Sequence, residues 1–400
     1  MLSKKIKEAL AGSSAIRAMF VEGKELAEKV GAENVFDYSL GNPATPVPDS
    51  FNSTVKELLD KEDSLVLHGY MSNSGYEDVR AAIADNLNRR FGTNFSLKNI
   101  VMTVGAAGGM NVIFKTVLDP GEEVIVFAPF FGEYRNYVAN FDGVLIPVAP
   151  DYNTFQPDLD AFEKAVNEKT KAVIINTPNN PTGVVYSHAT MKSIGEILLK
   201  KEKEFGKEIY LISDEPYREL VYGDVKENFL TKYYHNTLVG YSFSKSLSLP
   251  GERIGYIVVP DEVTEAEEML SGLEVANRTL GFVNAPSLMQ KAVAHLVEEK
   301  TNLTFYDKNR KVLYEGLKSL GFTCIKPEGA FYLWVKSPVE KEEEFVRTAK
   351  KYNLILVKGS AFGCGGYVRL AYCIAHEKVV RSLDAFAKLA EEYGLKGKGE

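Results

Sequence analysis

At 400 residues, with a net charge of −7, 45% hydrophobic and 25% charged residues, the chain is long enough for two or three cores and has the make-up of a soluble globular protein. The mild acidity argues against a general nucleic-acid or anionic-membrane surface. Three cysteines (Cys324, Cys364, Cys373) without a CxxC pair suit a reducing compartment, and five scattered histidines argue against a zinc centre.

The N-terminal MLSKKIKEALAGSSAIRAMF has apolar residues at helical spacing, interrupted by Lys and Glu, and lacks the continuous apolar core of a signal peptide. No later run approaches the ~18 apolar residues of a spanning helix, so a cytoplasmic protein is expected. Further on, strand-like and helix-like stretches alternate. NIVMTVG reads as a strand and AGGMNVIFKTVL as a helix that stops at DPG. EVIVFAP, VLIPVAP, KAVIINTP, EIYLISDEP, TLVGYSFSK and RIGYIVVP read as further strands, several separated by amphipathic helices. This alternation predicts an α/β fold with a mainly parallel sheet covered by helices. After about Pro260 the pattern becomes mostly helical, and FYLWVK, LILVKG and YVRLAYC supply a smaller α+β unit. The expected division is a large domain over 46–285 and a small one built from 1–45 and 286–400.

Ligands of such sheets gather beyond the carboxyl ends of the strands, so the residues there carry the functional reading. Asp214 ends EIYLISD. It reads as a strand-ending Asp or helix cap, or as a carboxylate that keeps a cationic heterocycle protonated, with Tyr217 placed to bond a phenolic oxygen of the same ring. NTPNNPTG reads largely as turn chemistry, but Asn180 has an amide that could reach a ligand oxygen. MTVGAAGG brings the small residues Gly105, Ala106 and Ala107 to a helix N-terminus, where backbone N–H groups can approach a phosphate; it matches neither GxGxxG nor the P-loop. In SFSKSLSLPGERIG, Lys245 follows an apolar strand. A desolvated lysine near a second cation becomes a nucleophilic amine, and Arg253, eight residues on, supplies a cation whose planar fork suits a phosphate. Ser242 and Ser244 add hydroxyl donors. Lysine, phosphate clamp and ring-protonating carboxylate together describe pyridoxal 5′-phosphate.

With these residues assembled, the chain resembles the fold-type I pyridoxal-phosphate enzymes of the class I/II aminotransferase family. LGNP, GYMSNSGYEDVR, VGAAGG, APFFGEY, NTPNNPTG, SDEPY, SFSKSLSLPGERIG, PEGAFYLW and YVRLAYC match its motifs in order along nearly the whole length. The resemblance implies that Lys245 bonds the cofactor aldehyde and then shuttles a proton. It also implies that Asp214 pairs with the ring nitrogen and that Tyr217 and Asn180 bond the ring's phenolic oxygen. Gly105, Ala106, Ala107, Ser242, Ser244 and Arg253 would hold the phosphate. Phe131 would stack on the ring where Trp or Tyr is commoner, without their polar handle. Arg369 and the Gly41 backbone would take the substrate carboxylate, and Tyr70 would reach the phosphate of a neighbouring subunit, implying a homodimer with shared sites.

The resemblance leaves the substrate open. A dicarboxylate needs a cation besides Arg369, and Arg17, Lys115 and Arg278 are the candidates, each taken singly reading more readily as a surface charge. The expectation is an aspartate-like or broad-range transaminase using an acceptor such as 2-oxoglutarate. Alternatives are a carbon–sulfur β-lyase on the same scaffold, or a non-catalytic regulator or binding module that retains the fold, against which stand the acidic net charge and the lack of a winged-helix pattern.

Overall fold

The computed structural model describes residues 2–11, 15–226 and 229–397. Seven strands build the central sheet: β1 (Ile100–Thr103), β2 (Glu123–Phe127), β3 (Val144–Val148), β4 (Thr170–Asn176), β5 (Tyr210–Asp214), β6 (Thr237–Ser242) and β7 (Gly255–Val258). Their spatial order is β1-β7-β6-β5-β4-β2-β3. All neighbouring pairs are parallel except those of β7, which runs antiparallel to both β1 and β6. The inner strands are apolar along nearly their whole length because helices cover both faces. By contrast, β3 is partly exposed and carries Pro147, as an edge strand can.

Local chemistry sets the crossover helices. Asp158 and Ser187 cap the helices Leu159–Ala165 and His188–Phe205 by accepting from Ala161 N and Thr190 N, and Gly206 ends the second in a left-handed conformation. The helix predicted from AGGMNVIFKTVL spans Gly105–Val117.

A three-stranded antiparallel sheet forms the smaller unit, with β8 (Tyr332–Lys336), β9 (Val357–Lys358) and β10 (Tyr367–Ala371) in the order β9-β10-β8. Helices Leu303–Ser319 and His376–Glu392 pack on it. The N-terminal part joins this unit, since Phe36–Asp37 pairs with Leu354–Ile355. Helix Ser287–Ala294 does not follow the boundary expected at 286. Its Ala292 and Val293 are buried against helices Asp49–Lys61 and Glu77–Phe91, in the core of the large sheet. An amphipathic helix carries no mark of which core receives its apolar face, so the sequence pattern could not place it.

Strand register gathers the site. Asn176, Asp214 and Gly240 stand side by side across β4, β5 and β6, and Ser242 and Thr103 both pair with Gly255. Because β7 runs backwards, its first residue lies at the same edge where the parallel strands end.

Candidate active site

One cavity of about 260 Å³ opens at that edge. Its wall includes Lys245, Asp214, Tyr217, Asn180, Ala106, Ala107, Phe131, Ser242, Ser244, Arg253, Gly41 and Arg369. Gly105 stands behind Arg253.

Lys245 lies on the one-turn helix Phe243–Ser246 that follows β6, and its amine donates to Gly41 O at 2.8 Å. Burial lowers its pKa to about 8; neighbouring Cys373 opposes this, and the cations Arg253 and Arg369 each lower it by a smaller amount. The chain returns to the sheet through Arg253, so lysine and arginine flank a single turn. Arg253 has φ 53° and donates through Nη1 to Pro250 O (2.9 Å) and Ser244 Oγ (3.4 Å). Ser242 and Ser244 hydroxyls lie 2.8 Å apart. Gly105, at φ 70°, lets the arginine approach, since a Cβ there would lie 2.6 Å from Arg253 Nη2. Helix Gly105–Val117 begins beside this cluster with no side-chain cap on its first N–H groups.

Asp214 is 6% exposed. Its Oδ2 accepts from the Tyr134 hydroxyl at 2.5 Å, while buried Oδ1 has no partner among the described residues. Burial raises this carboxyl to about 7; the Tyr134 bond works against the rise, and neighbouring Glu215 adds to it. Asn176 Nδ2 ties down Asp214 O at 2.9 Å. Of the paired asparagines, Asn179 shapes the turn by accepting from Thr182, whereas Asn180 Oδ1 accepts from Arg369 Nη1 at 3.0 Å. Arg369 is 1% exposed, donates through Nη2 to Ser39 O, and has a buried Nε without a partner among the described residues. Its guanidinium lies 4.6 Å from the Tyr332 ring centre and 4.8 Å from that of Phe362. The Tyr217 and Tyr332 hydroxyls bond at 2.6 Å.

Tyr134, Tyr332 and Asn176 were not singled out from the sequence. Tyr134 lay in view three residues beyond Phe131 in FFGEY, and Tyr332 in GAFYLW, but a lone tyrosine reads as packing. Lys115 is exposed on its helix and does not line the cavity. Arg278 and Tyr70 are also exposed, Tyr70 by 95%. Arg17 lies in helix Ala15–Val30, with its side chain outside what is described. The described cavity wall therefore carries three cations: Lys245, Arg253 and Arg369.

The donor set fits pyridoxal phosphate. Uncapped helix N–H groups, two hydroxyls and a guanidinium suit a dianion, the orphaned Asp214 oxygen suits a cationic ring nitrogen, and Lys245 lines the same cavity. The family model described as Aminotransferase class I and II matches residues 33–386. The chain belongs to the class I and II aminotransferase family. It is accordingly a pyridoxal-phosphate-dependent transaminase of fold type I. An amino transferase from Eubacterium rectale superposes with a TM-score of 0.96 at 46% identity, covering 98% of this chain and 99% of that one. A probable aspartate/prephenate aminotransferase of Aquifex aeolicus is 30% identical over 93% of this chain and 94% of its own. Aromatic-amino-acid aminotransferase 2 of Thermococcus litoralis is 30% identical over 96% and 97%. Among the described residues of this aminotransferase, no helix is long and apolar enough to cross a membrane, and no cluster could hold a metal ion.

Proposed function

We propose that this aminotransferase moves an amino group between an aspartate-like or broader range of L-amino acids and a 2-oxo acid such as 2-oxoglutarate. The observation that carries this reading is the convergence of Lys245, Asp214, Arg253 and Arg369 on one cavity. When bound, pyridoxal phosphate supplies an aldehyde that condenses with amines and a cationic ring that takes up electrons as a substrate Cα loses its proton.

The chain's residues do the rest. Arg253, Ser242, Ser244 and the helix N-terminus at Ala106–Ala107 bind the phosphate. Asp214, ionised by its cationic partner, keeps the ring nitrogen protonated. Tyr217 and Asn180 hold the phenolic oxygen, and Phe131 covers the ring face. Arg369 grips the substrate carboxylate and orients Cα toward the Lys245 amine, whose lowered basicity lets it take and return that proton near neutral pH.

Dimerisation belongs to the same reading. Tyr70 lies on a segment pinned to the end of helix Ala266–Thr279 and the loop beyond it: Asn284 Nδ2 donates to Ser72 O at 2.7 Å and Asn73 Nδ2 to Val283 O at 3.1 Å. Asn277, next to Arg278, also donates to Asn73 O at 3.4 Å, and Arg278, Tyr70 and Leu65 are all exposed, Leu65 by 86%. A second copy would cover this region and receive Tyr70 at its phosphate. It would also receive Arg278 as the cation for a second carboxylate, which the described wall of one chain lacks; Arg17 is the other source.

A panel of aspartate, glutamate, alanine and phenylalanine against 2-oxoglutarate, with Lys245→Ala as blank, tests the reading. Turnover with aspartate or glutamate is expected. Failure of both donors, or turnover by the variant, overturns it, and pyruvate released from cystathionine without an acceptor points to the lyase.

A further inference from the structure

The Tyr217–Tyr332 pair has more hydroxyl protons than its mutual bond uses. Each hydroxyl has the other as its one hydrogen-bond partner among the described residues. Burial keeps both phenols neutral, Tyr332 rising to about 12 and Tyr217 well above its ordinary value. Two neutral phenols own two protons, and one bond consumes one. The pair therefore presents one free donor to the cavity, and either oxygen can carry it.

The two choices face different ligands. Tyr332 on β8 pairs with Ala371 on β10, two residues along from Arg369, whose guanidinium lies over the Tyr332 ring. Its hydroxyl also abuts Gly41 so closely that a methyl group there would collide with it. Gly41 O is in turn the acceptor for Lys245. Tyr332 thus borders the place where a carboxylate held by Arg369 would arrive, and Tyr217, close enough to Asp214 to feel its charge, borders the ring site.

We propose that Tyr332 is a positioning residue that relays carboxylate binding to the cofactor. With Arg369 free, Tyr332 donates to Tyr217, and Tyr217 donates to the phenolic oxygen. With a carboxylate on Arg369, Tyr332 donates to it, and Tyr217 loses the bond that strengthened its own donation. A weaker donor leaves the phenolic oxygen more basic, which raises the pKa of the neighbouring lysine–cofactor nitrogen. No bond other than these hydrogen bonds changes. The inference rests on the cofactor and carboxylate sites assigned above.

The test is a pH titration of the absorption band of the lysine-linked cofactor, in holoenzyme with and without the unreactive carboxylate maleate. Wild type and Tyr332→Phe are compared, since Phe keeps the ring under Arg369. The variant is expected to titrate about 0.3–0.5 pH units higher without maleate, to show a smaller maleate-induced rise, and to bind maleate about three- to tenfold more weakly. An unchanged midpoint with an undiminished maleate response overturns the relay. So does weaker maleate binding with an unchanged midpoint, which restricts Tyr332 to the carboxylate. A wild type without a cofactor band, or with no maleate binding, fails the underlying site instead. Thermal melts and cofactor dissociation constants of both proteins establish that the variant is folded and loaded.

Discussion

Two titrating groups dominate the chemistry at the residue scale, and burial moves both toward neutrality. Lys245 falls from 10.5 to about 8, so the apoprotein should capture pyridoxal phosphate faster as pH rises through about 8. Stopped-flow absorbance measures this, and a midpoint near the ordinary lysine value would count against a desolvated amine. Asp214 rises from 3.8 to about 7. A folded-state pKa above the unfolded one contributes stability that is full below pH 4 and lost as pH climbs through about 7. In the apoprotein this amounts to about 4 kcal/mol at most. Asp214→Asn should therefore melt higher than wild-type apoprotein at pH 8 and no higher at pH 4, while binding cofactor at least 100-fold more weakly. Calorimetry and cofactor titration separate the two effects. Lys245 and Asp214 were legible in the sequence because each interrupts an apolar strand end with a charge. Tyr134 and Tyr332 were not, because an aromatic beside a strand serves packing as readily as hydrogen bonding.

Among the elements, the turn between β6 and β7 decides the proposed phosphate clamp. Antiparallel β7 brings Arg253 back to the edge where Lys245 leaves it, and Gly105 gives the guanidinium room. Gly105→Ala adds a Cβ at a left-handed φ of 70° and 2.6 Å from Arg253 Nη2. It should weaken cofactor binding more than tenfold while lowering the melting temperature of the apoprotein only modestly. Equilibrium dialysis and thermal melts read the two quantities. The sequence displayed the small residues and the lysine–arginine step, yet the reversed direction of β7, which joins them, is a property of the sheet. Lys115 illustrates the same limit. Its helix begins at the clamp, but ten residues on the turn of the helix has carried it to the solvent face.

For the whole molecule, the small unit closes the site. Arg369 and Tyr332 come from its antiparallel sheet, and Gly41 and Ser39 come from the chain just after Phe36–Asp37, which pairs with Leu354–Ile355. A second copy would add Tyr70. Tyr70→Phe should leave the dimer intact by sedimentation and raise the cofactor dissociation constant by about tenfold or more, the worth of one hydrogen bond to a charged group. A monomeric wild type, or unchanged cofactor affinity in the variant, would remove the shared site.

Alternating strands and helices determined an α/β sheet, since the two periodicities bury different faces. Charges at strand ends determined the cofactor, since a buried lysine, a buried carboxylate and a phosphate clamp have few other uses together. The tertiary structure alone decided which hydroxyls meet which carboxyl and which core receives helix Ser287–Ala294. It also decided that the described wall of one chain holds three cations. Those outcomes depend on register, strand direction and packing between segments hundreds of residues apart, and no local pattern encodes a distance across a sheet.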